Sequence, residues 1–279
     1  MHHIEGLRDI AGKFELILVD QFGVLHNGVS AYPGAPQALA ALAALGCQVI
    51  VLSNSGKRAA PNEARLVSLG ITRTSFQCVV SSGEVALELV STDSLGEPFR
   101  AGRRMYTVGR TGETYALCEP LLVAAPRPDV ADFILIAGSN APKTSLDEYR
   151  KLLAPATRRG VPALCINPDL TMLLAGALAP APGAIAAIYQ ELGGQVCYVG
   201  KPHGAIYEHA RRLATGADQT RILVVGDSPA HDIAGGKAMG FKTLLVRSGV
   251  HAELDEASLL SLCEAHGGLP DFLAPGFFW

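Results

Sequence analysis

Three short runs of Val, Ile and Leu end on side chains that can do chemistry: Phe14-Glu-Leu-Ile-Leu-Val-Asp20, Cys47-Gln-Val-Ile-Val-Leu-Ser53 and Arg221-Ile-Leu-Val-Val-Gly-Asp227. Unbroken apolar runs of this kind, alternating with helix-like stretches, fit strands buried on both faces of a parallel sheet. The intervening segments 36–45, 61–69, 83–90 and 232–239 have the Ala/Leu content or the closing glycines of helices. A further run at 243–246 completes the pattern near the carboxyl end. The expected fold class is therefore α/β, with a parallel sheet of the Rossmann-like kind and helices on both faces.

The middle of the chain is organised separately. Residues 91–104 are polar and contain glycine, and beyond them apolar runs recur at 105–108, 133–137 and 162–166, with a helical segment at 145–153. Pro180-Ala-Pro-Gly183 then punctuates the return. The expected organisation is a core built from 1–95 and 183–279, interrupted by an inserted α/β domain at 96–182.

Composition narrows the class. A net charge of −3 and 18% charged residues leave no basic face for nucleic acid. Hydrophobic residues make up 49%, too many for a disordered chain. The longest oily stretch, 170–181, is interrupted by Gly176 and Pro180 and is too short to span a bilayer. Met1-His-His-Ile-Glu-Gly6 has neither the basic nor the apolar segment of a signal peptide. The six cysteines, Cys47, Cys78, Cys118, Cys165, Cys197 and Cys263, form no close pairs, so neither a zinc site nor a disulfide framework is expected. A cytoplasmic protein is the expectation, and a homodimer is compatible with the chain.

In open parallel sheets, ligands bind beyond the carboxyl ends of the strands. Asp20, Ser53 and Asp227 would meet there. Lys201 would join them through the run 196–199 and Gly200. Asp232 follows Asp227 by one loop, so both carboxylates can face one pocket. Clustered carboxylates repel unless a cation intervenes, and a hard divalent ion with oxygen ligands suits Mg²⁺. With a phosphate so screened, Asp20 could attack it to give an aspartyl phosphate. Ser53 and the adjoining Asn54 and Ser55 would hold the phosphate oxygens, and Lys201 would neutralise developing charge.

Asp20-Gln-Phe-Gly-Val-Leu25, Ser53-Asn54, Lys201 and Gly226-Asp-Ser228 with Asp232 resemble, in order, the four motifs of the haloacid dehalogenase superfamily. The insertion between the second and third motifs, with Asn167-Pro-Asp169 ahead of Pro182-Gly183, is similar to that of its class IIA. The resemblance covers nearly the whole chain. It implies a Rossmann-like core with an inserted α/β cap domain, Mg²⁺ dependence and hydrolysis of a small phosphorylated metabolite. It also implies that Asp20 is nucleophile and metal ligand, and that the Phe22 backbone carbonyl, Asp227 and Asp232 complete the metal shell. By the same resemblance Ser53 binds phosphate and Lys201 pairs with Asp20. Asn167 and Asp169 would lie near the cleft, as substrate contacts or as hinge residues.

Phosphatases of this superfamily usually carry a second Asp two residues after the nucleophile, as general acid and base. Phe22 stands there. Because such help is worth about 10²–10⁴-fold, slow turnover is expected, least so for esters with good leaving groups. His26 could substitute if its loop folds back. Two rival readings follow: a catalytically silent ligand-binding or regulatory protein, supported by Phe22, and a metal-independent dehalogenase-type hydrolase, opposed by Asp227 and Asp232. His203 and His231 read as structural or exposed. Gly235-Gly-Lys237 lacks the spacing and the Ser/Thr of a P-loop. The aromatic tail ending Phe277-Phe-Trp279 is expected to dock on the core, with an adjoining subunit as the alternative.

Overall fold

The computed structural model describes residues 1–117, 121–174 and 177–279; Cys118 and Gly176 lie outside the described residues. The chain divides into two compact units, one of Met1–Ser53, Ala59–Val80 and Lys201–Trp279, the other of Asn54–Arg58 and Ser81–Gly200.

The first unit holds a seven-stranded sheet in the order His2–His3, Phe272–Ala274, Lys242–Val246, Ile222–Gly226, Leu16–Asp20, Gln48–Ser53, Cys78–Ser81. The pairings from His2–His3 to Gln48–Ser53 are all parallel. Leu16–Asp20 and Ile222–Gly226 are buried at every residue, as their unbroken apolar sequences require. These two strands are neighbours, with Leu16 opposite Ile222. Strand order reverses between them, and that reversal opens the crevice in which doubly wound sheets bind ligands. Asp20 ends one strand and Asp227 follows the other.

Helices Ala35–Ala44 and Ala59–Ser68 match the expected helical segments to within two residues. The segment 232–239 differs. Pro229–Ile233 forms a wide π turn, and only Ala234–Ala238 is α-helical. The core gathers Ile17, Val19, Leu39, Val51, Val225 and Leu244. The tail docks as expected: Phe277 is buried and the Leu7 N–H donates to the Phe278 carbonyl at 2.9 Å.

The second unit has its own five-stranded sheet, ordered Val196–Tyr198, Ala163–Cys165, Phe133–Ile136, Arg104–Val108, Val123–Ala124, parallel throughout. Helix Leu146–Arg158 starts with a capping box between Ser145 and Glu148 and buries Tyr149, Leu153 and Ala156. A two-stranded antiparallel ribbon pairs Thr171–Leu174 with Ala177–Pro180. This unit extends beyond the expected 96–182 at both ends. It takes in helix Ser82–Ser91, helix Pro182–Glu191, and the strand Val196–Tyr198, which bonds to Ala163–Cys165 rather than to the first sheet.

Candidate active site

Each acidic residue of the first unit reaches the crevice by a different local device. Asp20 is the last residue of a wholly buried strand, so its carboxylate emerges where the sheet ends. Asp227 comes one residue after Gly226 on the adjacent strand. Asp232 is brought back by the π turn: its N–H donates to the Ser228 carbonyl at 2.9 Å, and the Ser228 N–H donates to Asp232 Oδ2 at 3.1 Å. One ligand oxygen from each of Asp20, Asp227 and Asp232 lies within 4.8 Å of the other two, and all three residues are buried.

Lys201 enters the same cluster and is only 3% exposed. Its ammonium bonds to Asp20 Oδ1, and to Asp232 Oδ1 at 2.7 Å. Burial opposes the lysine charge, but Asp20 and Asp232 outweigh it and hold the Lys201 pKa well above its ordinary value. Burial, then Asp20 and Asp232, push the Asp227 carboxyl well above the usual carboxylate range. Asp227 Oδ2 accepts from the Val250 N–H at 3.0 Å, a contact the sequence motifs do not indicate. Gly23 makes room for it: with φ +96, a Cβ there would sit 2.3 Å from Asp227 Oδ2.

This donor set fits a hard divalent cation. Three buried carboxylates face one ammonium, every ligand atom is oxygen, and Asp227 has no ion-pair partner among the described residues. A divalent ion would balance the charge that now holds Asp227 toward its protonated form. Ser53, buried, ends the strand beside Asp20, where Leu52 pairs with Asp20.

The remaining residues assigned to substrate lie in the second unit. Asn54 Nδ2 donates to Asp169 Oδ1 at 2.8 Å, and the Asp169 N–H donates to Asn167 Oδ1 at 3.1 Å. Ser55 Oγ accepts from the Lys57 N–H at 3.3 Å.

Family models agree with the motif order. A haloacid dehalogenase-like hydrolase model matches residues 17–119, and a HAD-hydrolase-like model matches residues 198–272. Bovine (Bos taurus) chronophin is 31% identical over 275 residues, spanning 95% of this chain and 92% of its own. The chain belongs to the haloacid dehalogenase-like hydrolases. A hydrolase of the haloacid dehalogenase-like family from Brucella suis superposes with a TM-score of 0.84 at 28% identity, covering 98% of this chain and 99% of that one. A glycerol phosphate phosphatase from Mycobacterium tuberculosis, solved with magnesium, gives a TM-score of 0.71 at 26% identity, covering 95% of this chain and 76% of that one.

In this haloacid dehalogenase-like hydrolase, Phe22 and His26 follow Asp20 in one tight loop. Phe22 offers no titratable side chain, and its ring meets the His26 ring edge-on at 5.5 Å. The loop does fold back, and His26 is fully buried. Burial, then Arg65, lower its pKa to about 4. Its Nδ1 accepts from the Gly28 N–H at 3.0 Å, which puts the proton of the neutral ring on Nε2. At neutral pH His26 is therefore uncharged and is not an imidazolium acid.

Other motifs of this family member resolve simply. His231 pairs with Ser228 Oγ at 2.9 Å, and burial followed by His231 lowers the His203 pKa. Lys237 donates to the Leu269 carbonyl at 2.8 Å, in keeping with a structural role. Tyr207, which no motif singles out, is buried, and its hydroxyl donates to the His231 carbonyl at 3.1 Å. Burial and then Asp232 raise its pKa well above the ordinary value.

Proposed function

We propose that the chain is a Mg²⁺-dependent phosphatase acting on a small phosphorylated metabolite through an aspartyl phosphate on Asp20. The observation that carries this reading is the convergence of Asp20, Asp227 and Asp232 within 4.8 Å, with Lys201 bonded to two of them. It is further supported by the names of two similar proteins, an acid sugar phosphatase from Staphylococcus aureus and the glycerol phosphate phosphatase solved with magnesium.

Asp20, Asp227, Asp232 and the Phe22 carbonyl would hold the ion, which when bound supplies charge neutralisation for an approaching phosphate. Asp20 attacks phosphorus, the ester P–O bond breaks, and the alcohol leaves. Water then attacks phosphorus, the bond between phosphorus and the Asp20 oxygen breaks, and inorganic phosphate leaves with the oxygen and protons of the water, regenerating the carboxylate. Lys201 pairs with Asp20 and offsets charge on the phosphoryl oxygens, while Ser53 and the adjoining backbone amides of Asn54 and Ser55 bind those oxygens. The leaving oxygen needs a proton, and neither Phe22 nor neutral His26 supplies one readily. Aryl and acyl phosphates, whose leaving groups need least protonation, are accordingly the preferred class.

The test is a panel of alkyl, aryl and acyl phosphates with Mg²⁺ and with chelator, run beside Asp20→Asn. Turnover that stops with each change supports the proposal. Turnover that survives either one overturns it. Ligand-dependent stabilisation with no turnover anywhere on the panel would favour the silent binding protein, the reading that Phe22 recommends.

A further inference from the structure

The chain passes between the two units at four peptide bonds, the first of them Ser53–Asn54 and the last Gly200–Lys201. Ser53 and Lys201 are thus each one peptide bond from a residue placed within the second unit. Those two neighbours, Asn54 and Gly200, meet at the Asn54 side-chain amide. Asn54 Nδ2 donates to Asp169 Oδ1 at 2.8 Å, and Asn54 Oδ1 accepts from Ser82 Oγ at 3.3 Å, so both ends of the amide are committed. Gly200 presses against the same group. A Cβ there would lie 2.5 Å from Ser82 Oγ, 2.8 Å from Asn54 Oδ1 and 2.9 Å from Pro168 Cδ, and φ is +117.

Asp169 is itself fixed at several points. Its N–H donates to Asn167 Oδ1 at 3.1 Å, and its carbonyl accepts from the Gly183 N–H at 2.9 Å, at the start of helix Pro182–Glu191. The strand Ala163–Cys165 and that helix therefore anchor a carboxylate whose hydrogen bond ends on the residue next to Ser53.

We infer that Asp169 is a positioning residue: its carboxylate holds the Asn54 amide, and through it the Ser53–Asn54 and Gly200–Lys201 peptides, and does not touch the substrate. The inference rests on the phosphatase reading for the roles of Ser53 and Lys201. A bond between a carboxylate and an amide N–H is among the stronger neutral-to-ion contacts, and a displacement of about 1 Å at a reacting group costs about 10²-fold in rate. Removing the Asp169 carboxylate therefore acts on kcat.

The test measures Asp169→Ala, Asp169→Asn, Asn54→Ala and the Asn54/Asp169 double alanine variant of the full chain with Mg²⁺, on an aryl and an acyl phosphate. Asp169→Ala is expected to lower kcat by about 10–100-fold, leaving KM within about twofold for both substrates. Asp169→Asn keeps an acceptor oxygen and restores most of the rate. The double variant is expected to be no slower than Asn54→Ala alone. Ser82→Ala frees the other end of the amide and gives a smaller loss in the same direction, which decides the matter if Asp169→Ala does not fold. Unchanged kcat, a KM effect that differs between the two substrates, or additive losses at 54 and 169 would overturn the inference. Amide exchange across 53–54 and 200–201, followed by mass spectrometry, reads the same device without turnover. Faster exchange in Asp169→Ala but not in Asp169→Asn supports it even if no ester is hydrolysed, and equal exchange in all three proteins sinks it.

Discussion

Lys201 donates to Asp232 at 2.7 Å and bonds Asp20 as well, so one buried ammonium joins a strand end to a π turn. The lysine is the resident counter-charge of an acidic pocket. Removing one partner of a buried ion pair costs about 3–5 kcal/mol, because the survivor is left uncompensated. Lys201→Met is expected to lose about that much stability in the absence of metal, and to recover more of it than wild type on adding Mg²⁺. Denaturant unfolding with and without the ion checks this.

Asp227 gives a pH dependence of known sign. Its folded pKa is raised above the unfolded value, so its contribution is fully present below the ordinary carboxylate range and is lost as pH rises through the folded pKa. The metal-free protein is expected to be less stable relative to Asp227→Asn as pH rises, and saturating Mg²⁺ to remove the difference. Paired melts of the two proteins across pH, with chelator and with Mg²⁺, decide it.

His26 carries the opposite sign. Its folded pKa, lowered to about 4 from 6.5, keeps the native ring neutral while the unfolded ring takes up a proton. Its stability contribution is complete above pH 6.5 and is lost as pH falls toward 4. The full effect is about 3 kcal/mol. His26→Leu should flatten that acid limb relative to wild type, and equal acid limbs in the two proteins would count against the buried neutral ring.

Phe22→Asp tests the missing proton donor. A carboxyl there should speed alkyl phosphate hydrolysis by about 10²-fold or more while changing aryl phosphate hydrolysis far less. The ratio of kcat/KM for the two ester types, compared between variant and wild type, is the measurement.

Gly23→Ala drives a methyl into the Asp227 carboxylate, since a Cβ at that position would lie 2.3 Å from Oδ2. Weaker Mg²⁺ binding by titration calorimetry, with a folded protein by circular dichroism, is the expected outcome.

The central strands are legible because burial on both faces writes itself as unbroken Val/Ile/Leu. Leu16–Asp20, Gln48–Ser53 and Ile222–Gly226 each fall inside an expected run. Edge strands carry no such mark. His2–His3 has two exposed histidines, and its strand character comes entirely from pairing with Phe272–Ala274. Val196–Tyr198 is visible as a run, but which sheet takes a three-residue strand depends on Ala163–Cys165, a distant partner that composition does not name. At the site, spacing indicates the acids and the lysine. The Val250 N–H, the Ser82 hydroxyl and Tyr207 carry no local signature, since backbone donors and single hydroxyls become informative only once loops are placed. For His26 the sequence suggests a loop that can fold back but not the burial of the ring, against which the Phe22 ring packs edge-on.

The partners in the acidic pocket are widely separated along the chain: Asp20 and Lys201 lie 181 residues apart. Leu16–Asp20 also lacks one of its two neighbours until Ile222–Gly226 exists. On the ribosome, the Asp20 carboxylate is therefore made early and waits for Lys201 through synthesis of the whole intervening unit. Pairings of such sequence distance form slowly, so affinity for a divalent ion arrives as one of the last events of folding, and a nascent chain halted before Lys201 has none of the pocket's own counter-charge.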